Sequence, residues 1–446
     1  MFINLTNFLK NKFMARSRNQ LMMKWSSEKL LIKERKKREK LRISENREHK
    51  IYYYHQVDDP YSILVLPLLK KIKLKYNIII ECILVGIPSK KTTPEPDMFQ
   101  IHCLNDVRNI APYYGQKKKI NDLPKKKNVD IANYILSRCD KTNFIETASV
   151  LMEDLWFEKE LDISKKFSIE NFNLNETISI IKKGNLIRKK NGYYNGSSFY
   201  YEGESYWGID RLNHLEMRLK HLGLEKSEVH EKIINRESLK KHGEIINNEF
   251  ELTIYPSLNS PYTYICFPKI KRLLKKYNIN MITKPVLPML MRGMHIPRYK
   301  GEYILMDSAR EGRLNGINLN KIYSPLGKPA ELAYSLFPKI NEFDKGFLYI
   351  EKLTIASFHD GINIGQKSFL KSLVDELNLP WEKIKLELGN NYWRKILENN
   401  LQEMYEGNCW GVPSFKLTDK NNKNPFYQWG QDRIWLIEEE IIKRSC

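Results

Sequence analysis

The chain of 446 residues lacks any pair of cysteines at the spacing of a metal or redox motif. Its six cysteines stand far apart in the sequence, at Cys82, Cys103, Cys139, Cys266, Cys409 and Cys446. This spacing argues against a zinc-binding module, a Cys-x-x-Cys dithiol site and a disulfide-stapled scaffold. We therefore expect reduced cysteines and no bound metal.

Long apolar runs are also missing. No run reaches the ~18–20 residues that a membrane-spanning helix needs. Met1–Phe13 is too short and too polar for a secretory signal, and no small-residue cleavage site follows an apolar core. We expect a cytoplasmic protein without a membrane span, long enough for two domains with proper cores.

Acidic residues are scarce relative to basic ones, with 53 Asp and Glu against 74 Lys and Arg and a net charge of +21. Such an excess favours nucleic acid or anionic lipid as a partner. An AT-rich coding bias toward Lys, Ile and Asn is a competing explanation, and no recognised nucleic-acid module accompanies the charge. We expect no nucleic-acid partner.

The basic charge is concentrated in residues 1–49, around the run Lys33–Lys40. We interpret this segment as a basic helical extension with few apolar anchors that projects from the folded part. It either anchors the chain to an anionic partner or keeps it in solution, and we favour the second interpretation.

Two stretches about two hundred residues apart begin with the same pattern. Ile51–Tyr54 leads to Asp59-Pro60-Tyr61, and Leu252–Tyr255 leads to Ser260-Pro261-Tyr262. In each copy a β-rich run is followed by a polar loop, a proline at the first helical turn and an apolar-periodic helix. A β-branched run comes next, so the pattern predicts a β-α-β unit at the front of each copy.

The two copies also end alike. Trp207-Gly208-Ile209-Asp210-Arg211 parallels Trp429-Gly430-Gln431-Asp432-Arg433, and each follows a pattern of strand, turn and strand. We therefore predict an α/β protein with two domains, each built as β-α-β, a helical insert and β-β-α. The predicted domains are 50–222 and 250–446, joined by a charged helical linker over 223–249.

A proline follows Val412 in the run Gly411–Phe415. In a packed position an X-Pro bond can be locked cis, which turns the preceding backbone outward to pair with an extended ligand. The alternative is an ordinary turn proline.

Three motifs carry a resemblance to a known family: Ser-Pro-Tyr at 260–262, Gly-Val-Pro-Ser-Phe at 411–415 and Trp-Gly-Gln-Asp-Arg at 429–433. Together they resemble the thioredoxin-like 2-hydroxychromene-2-carboxylate isomerases, the kappa-class glutathione transferases and, more distantly, the DsbA-type oxidoreductases. The resemblance covers about residues 250 to 446 well and about residues 50 to 220 more loosely. It implies two thioredoxin-like domains and glutathione as a cosubstrate.

The resemblance assigns roles to five residues of the second half. Ser260 would hold the thiolate of bound glutathione, Val412 and Pro413 would pair with the tripeptide backbone, and Gln431 with Asp432 would bind its γ-glutamyl end. The physics of a helix N-terminus agrees, because its orphan N–H groups, its dipole and a hydroxyl donor all lower the pKa of a thiol.

The methionine-rich loop over residues 286–298 would cover the ligand cleft in that family. Methionine adapts to planar apolar substrates, although it is also a common gap-filler in cores. The residues that we expect to bind substrate, its carboxylate or the glycyl end of glutathione are Arg292, His295, Arg298 and Tyr262.

Two departures from the family limit the chemistry. Ser260–Thr263 stands where DsbA-type proteins have Cys-x-x-Cys, so ordinary dithiol–disulfide exchange cannot run there. In the first half Asp59 replaces the serine, where a carboxylate would repel a thiolate, and Ser197 stands where the proline is expected. We interpret the first half as an inactive or repurposed copy. His55 and Asp58 leave a small acid/base site open there, but packing is the favoured interpretation.

The resulting hypothesis is a glutathione-dependent enzyme of the isomerase, transferase or oxidoreductase type, acting on a small electrophile or an aromatic substrate. One alternative is a non-catalytic thioredoxin-fold protein that binds a peptide or an acidic partner. Another is a disulfide oxidoreductase working through Cys409, four residues before Pro413. The two halves could pair within one chain, or the chain could form a homodimer.

Overall fold

The computed structural model describes residues 15–158, 163–169, 172–226, 233–234, 249–277, 279–420 and 424–445. The chain forms two compact units. The N-terminal unit is Lys33–Lys241, and the C-terminal unit combines Met1–Ile32 with His242–Cys446. Most of the expected linker over 223–249 lies outside the described residues.

The first described residues form two helices, α1 over residues 15–26 and α2 over Glu28–Ser44. The boundary between the units falls within α2. In α1 the side chain of Met22 is buried against Tyr264 and Leu305, and Asn19 Oδ1 accepts the Ser324 N–H at 3.0 Å. The expected extension over 1–49 is thus divided between the units, and α1 is packed because apolar residues interrupt its charge.

The N-terminal unit contains a four-stranded sheet in the order β2-β1-β3-β4. Its strands are β1 (Lys50–His55), β2 (Ile79–Leu84), β3 (Ser198–Tyr201) and β4 (Glu204–Trp207). β1 and β2 are parallel, whereas β3 pairs antiparallel with both β1 and β4. The helices are α3 (Ser62–Lys75), α4 (Pro96–Ile110), α5 (Lys126–Arg138), α6 (Phe144–Phe157), α7 (Ile163–Lys166), α8 (Leu174–Lys190) and α9 (Leu212–His221).

The C-terminal unit contains a second sheet with the equivalent order, β6-β5-β7-β8. Its strands are β5 (Phe250–Tyr255), β6 (Asn280–Thr283), β7 (Ser414–Asp419) and β8 (Phe426–Trp429). The helices are α10 (Pro261–Tyr277), α11 (Arg298–Leu314), α12 (Lys328–Asn341), α13 (Gly346–Phe358), α14 (Lys367–Glu376), α15 (Trp381–Ile384), α16 (Tyr392–Glu406) and α17 (Ile434–Ser445).

Alternation along the central strand explains where the core of the second sheet lies. Leu252 and Ile254 of β5 are fully buried and pack with Ile270 of α10 and Ile437 of α17. Since side chains two apart share one face of a strand, the sheet buries this face under α10 and α17. The inserted helices α12, α13, α14 and α16 form a separate apolar cluster around residues such as Tyr334 and Trp393.

The order of strands and helices confirms the α/β prediction and the β-α-β and β-β-α patterns at the two ends of each copy. Both β1 and β5 are central strands, and a helix follows each of them directly. None of the helices in the described ranges combines the length and apolar character needed to cross a membrane.

Candidate active site

Ser260 lies at the start of α10, directly before Pro261, the first helical residue. Proline suits this position because its fixed φ is already helical and it has no N–H to leave unpaired. The hydroxyl oxygen of Ser260 accepts the N–H of Thr263 at 3.1 Å, which is the bond of an N-cap serine. The side chain is 8% exposed.

The loop before β7 brings Val412 to Ser260. The Ser260 hydroxyl donates to the Val412 carbonyl oxygen at 3.4 Å, across 152 positions of sequence. The Val412–Pro413 bond is cis, which is the first of the two interpretations that the motif left open. Gly411 supports this loop, because a Cβ built there would lie 2.2 Å from the Trp429 ring. The structure therefore joins two of the three motifs at one place.

Gln431 and Asp432 lie in a 3-10 turn, Gln431–Arg433, that runs into α17. Gln431 is 2% exposed, and its side-chain N–H groups donate to Glu311 Oε2 at 3.0 Å and to Asp432 Oδ1 at 2.5 Å. Lys269 donates to the side-chain oxygen of Gln431. The amide of Gln431 is thus held by the protein itself, whereas Asp432 is only half-buried.

The four expected substrate-binding residues fall into two groups. Tyr262 donates its hydroxyl to Asp307 Oδ2 at 2.7 Å, and Arg292 donates to the Tyr405 hydroxyl at 3.3 Å and to the Trp410 carbonyl at 3.2 Å. His295 and Arg298 are exposed, and Arg298 is the first residue of α11. The first pair anchors neighbouring elements, and the second pair is open to solvent.

Sequence reasoning missed a group of buried charged residues on α11. Lys300, Asp307, Arg310 and Glu311 are each at most 8% exposed. Asp307 accepts from Tyr262 and from Arg310 Nε at 2.9 Å, while Glu311 accepts from Gln431. The sequence signal that could have found them is the spacing of the charged residues, since positions 300, 307 and 311 share one helix face. The α11 face therefore contacts both the α10 N-terminus and the turn before α17.

Lys300 of α11 contacts Trp410, in the loop that carries Val412. Its ammonium is 5.0 Å from the centroid of the Trp410 ring, and the side chain is 4% exposed. Burial lowers the pKa of Lys300 to about 8. A cation over an aromatic face is stabilised by the ring quadrupole, which offsets part of the cost of burial.

The cysteines near the site are buried. Cys409 is 0% exposed, and its thiol donates to the Gly407 carbonyl at 3.4 Å. Cys266 on α10 is also 0% exposed, and burial raises the pKa of its thiol. Neither has the exposed thiol of a redox cysteine. In the described ranges no three His, Cys, Asp or Glu side chains are grouped as a metal site.

The equivalent position of the N-terminal unit carries a carboxylate. Asp59 Oδ1 accepts the Tyr61 N–H at 3.0 Å just before α3, and burial raises the pKa of Asp59 to about 6. Ser197 has a φ of 47° and shares a 2.8 Å hydrogen bond with Ser62. A buried acid therefore stands where the C-terminal unit has the hydroxyl of Ser260.

A family model, the DSBA-like thioredoxin domain, matches residues 251–441. This stretch is a DsbA-like thioredoxin domain. The thioredoxin domain contains Ser260, Val412, Gln431 and Asp432 together with α11, and the match confirms the resemblance that the motifs predicted. No curated protein matches the chain.

Solved structures similar to the chain include isomerases and disulfide enzymes. A 2-hydroxychromene-2-carboxylate isomerase is 18% identical with a TM-score of 0.37, covering 44% of this chain and 95% of that chain. A putative protein disulfide isomerase from Nitrosomonas europaea is 12% identical with a TM-score of 0.36, covering 44% and 98%. The cytosolic disulfide reductase DsbM from Pseudomonas aeruginosa with GSH is 14% identical with a TM-score of 0.32, covering 44% and 99%.

Proposed function

We propose that the thioredoxin domain binds glutathione and uses its thiolate as a nucleophile, in a glutathione-dependent isomerase, transferase or oxidoreductase. The observation that carries this proposal is the contact between the Ser260 hydroxyl and the Val412 backbone at the N-terminus of α10. The family of the domain and the GSH named for one similar structure support it.

The position of Ser260 suits a thiolate. The first turn of α10 offers backbone N–H groups and the positive end of the helix dipole, both of which favour an anion. The 3.4 Å bond from Ser260 to Val412 is long for a hydroxyl donor, so little stability is lost when the hydroxyl turns to a ligand sulfur. The Ser260 hydroxyl then becomes the donor that lowers the thiol pKa.

The rest of the tripeptide would lie along the loop and the turn before α17. The Val412 backbone would pair with the cysteinyl residue, next to Pro413. The carboxylate of Asp432 would accept a charge-assisted hydrogen bond from the ammonium of the γ-glutamyl group. Gln431, held by Glu311 and Lys269, would position Asp432 rather than contact the ligand itself.

Two exposed side chains suit the other end of glutathione. His295 and Arg298 lie open to solvent near the start of α11, where either would bind the glycyl carboxylate or an acidic substrate. Tyr262 and Arg292 would shape the cleft through their contacts to Asp307 and Trp410. The substrate class we propose is a small electrophile or an aromatic compound.

The chemistry would need a single thiol. In an isomerisation, the glutathione thiolate adds to one carbon of a conjugated double bond, and the electron pair moves into the conjugated system. The former double bond then rotates, and expulsion of the same thiolate restores the bond with the opposite geometry. The serine at position 260 provides for this one-thiol route, because it cannot form a disulfide with the substrate.

For the N-terminal unit we propose a thioredoxin-like domain without a thiol site. Its sheet order and its β-α-β start parallel those of the C-terminal unit. Asp59, at the position of Ser260, would repel a thiolate rather than stabilise it.

The test is a titration of the full chain with glutathione. The ultraviolet absorbance of the thiolate is measured as a function of pH. In the native protein we expect the pKa of bound glutathione to fall from about 8.5 to about 6–7. Ser260→Ala should raise the pKa of bound glutathione most of the way back to the value of the free thiol. Ser357→Ala is the matched control, since its hydroxyl donates to the Leu353 carbonyl within α13.

Two outcomes would count against this function. An absence of binding at millimolar glutathione would leave the thioredoxin domain as a binding module for a peptide or an acidic partner. A lowered pKa that survives in Ser260→Ala would assign the thiolate to a different site.

A further inference from the structure

A cavity of about 110 Å³ lies in the N-terminal unit, between the start of α3, helix α4 and the loop before β3. This volume is several times what one water needs, so the cavity admits a small organic group. The residues that decide its chemistry are Asp58, Asp59, Ile87, Phe99, Asn195 and Trp207.

The cavity is lined by acidic side chains, although the chain as a whole carries a net charge of +21. Asp58, Asp59 and Asp97 line it, and no described lining residue is a lysine or an arginine. Asp59 is 8% exposed, and burial raises the pKa of both Asp58 and Asp59. Carboxyl groups so poorly solvated gain most from a cationic partner.

Two buried polar atoms of the lining residues have no hydrogen-bond partner. Asn195 is 5% exposed, and its side-chain oxygen is unpaired. The indole N–H of Trp207 is buried and unpaired as well. Unsatisfied groups of this kind are rare in native proteins because each one forfeits its bond to water. The oxygen of Asn195 adds an acceptor that a ligand with N–H donors would satisfy.

Aromatic and aliphatic side chains form the other walls. Trp207 contacts Tyr61 edge-on and stacks on Phe99, with ring centroids 5.4 Å and 6.5 Å apart respectively. Ile87 is exposed at the cavity and adds apolar surface. Aromatic faces attract organic cations, and apolar walls favour a ligand with a hydrocarbon body over a hydrated metal ion.

We propose that this cavity binds an ammonium or guanidinium group carried on a small apolar body. The carboxylate of Asp59 and the side-chain oxygen of Asn195 accept its N–H groups, and the ring of Trp207 packs against its stem. Gly196 keeps this arrangement open, because a Cβ built there would lie 2.9 Å from Asp59 Oδ2. The site belongs to the N-terminal unit and does not depend on the proposed glutathione chemistry.

The experiment is a calorimetric titration of the full chain with benzylammonium and, separately, with benzyl alcohol, which has the same ring but no charge. Benzylammonium should bind at least about tenfold more tightly than the alcohol, as expected for a hydrogen bond to a charged group. Asp59→Asn should weaken benzylammonium about tenfold or more, and Asp58→Asn should weaken it in the same direction.

Asp140→Asn is the control, because Asp140 is an exposed carboxylate that does not line the cavity. Far-ultraviolet circular dichroism checks that each variant is folded. Equal binding of the amine and the alcohol would overturn the proposal, as would equal losses in Asp59→Asn and Asp140→Asn. Displacement of benzylammonium by an equal concentration of Mg²⁺ would instead identify a metal site, and no binding at 10 mM, on the order of the weakest specific affinities, would also refute it.

Discussion

Lys300 is a residue whose titration should affect stability. Its pKa is about 8 in the folded protein because burial disfavours the charged form, against about 10.4 in an unfolded chain. Between these two pH values the unfolded chain binds more protons than the folded one. The free energy of unfolding therefore rises as the pH increases from about 8 to about 10.

Replacing Lys300 by methionine should stabilise the protein at pH 7. The shift of its pKa corresponds to at most about 3 kcal/mol, from which the lost contact with the Trp410 ring subtracts about 1 kcal/mol. The variant should therefore be more stable than the native chain at pH 7 and lose this advantage near pH 10. Urea unfolding at the two pH values measures the effect.

The matched control is Lys371→Met, because Lys371 is exposed on α14. It should change the free energy of unfolding by less than about 0.5 kcal/mol at either pH. Equal destabilisation of Lys300→Met at pH 7 and pH 10 would show that packing of the stem, rather than the charge, decides the energetics.

At the level of single residues, the sequence motifs predicted the helix start at Ser260, the loop at Val412 and the turn before α17. Such features are predictable because turns and helix starts depend on residues that are adjacent in sequence. The buried charges of α11 were not predictable in that way. Asp307 and Glu311 are buried because Tyr262 and Gln431 lie opposite them, and those partners are distant in sequence. Burial of charge depends on such pairs.

Helices α1 and α4 differ from what their sequences suggested. Residues 86–128 are rich in Pro and Lys, a composition typical of loops, yet α4 runs over Pro96–Ile110 with Cys103, Val107 and Ile110 buried on one face. The proline at its start is compatible with a helix N-terminus. The apolar periodicity of α4 is hard to recognise in sequence because its flanks are rich in Pro and Lys. The strands and α10, whose periodicity is stronger, were predictable.

Helix α1 should contribute to the stability of the C-terminal unit through Met22. This side chain is 7% exposed in a cluster with Tyr264, Ile265 and Leu305. Met22→Ala should lower the free energy of unfolding by about 2 kcal/mol or more, the range for deleting a buried methionine side chain. Chemical denaturation followed by tryptophan fluorescence measures it.

Leu21→Ala provides the comparison on the same helix, since Leu21 is 37% exposed. It should cost less than about 0.5 kcal/mol. Similar small losses in both variants would mean that α1 is not part of the cooperative core.

On the scale of the whole molecule, the repeat of one sheet order was predictable from the paired motifs. The chemical divergence of the copies was predictable only in part. Sequence comparison showed that Asp59 replaces the serine, but not that Asp59 lines a cavity with Asn195 and Trp207. These residues come from three separate stretches of the N-terminal unit, and only the fold brings them together.

The two copies should therefore bind ligands of opposite charge. A carboxylate beside the helix start favours a cation, whereas a hydroxyl at a helix N-terminus favours a thiolate. In calorimetry on the full chain, one glutathione and one benzylammonium should bind without competing. Ser260→Ala should weaken only glutathione, and Asp59→Asn should weaken only benzylammonium.

The crossed pattern of losses separates the two proposals. If Ser260→Ala leaves glutathione binding intact while Asp59→Asn still weakens benzylammonium binding, the thiolate site fails and the cation site stands. The reverse pattern retains the thiolate site alone. Mutual displacement of the two ligands would contradict both assignments, because a single site would then accept a thiol anion and an organic cation. The charges of Asp59 and of the α10 N-terminus argue against such a shared site.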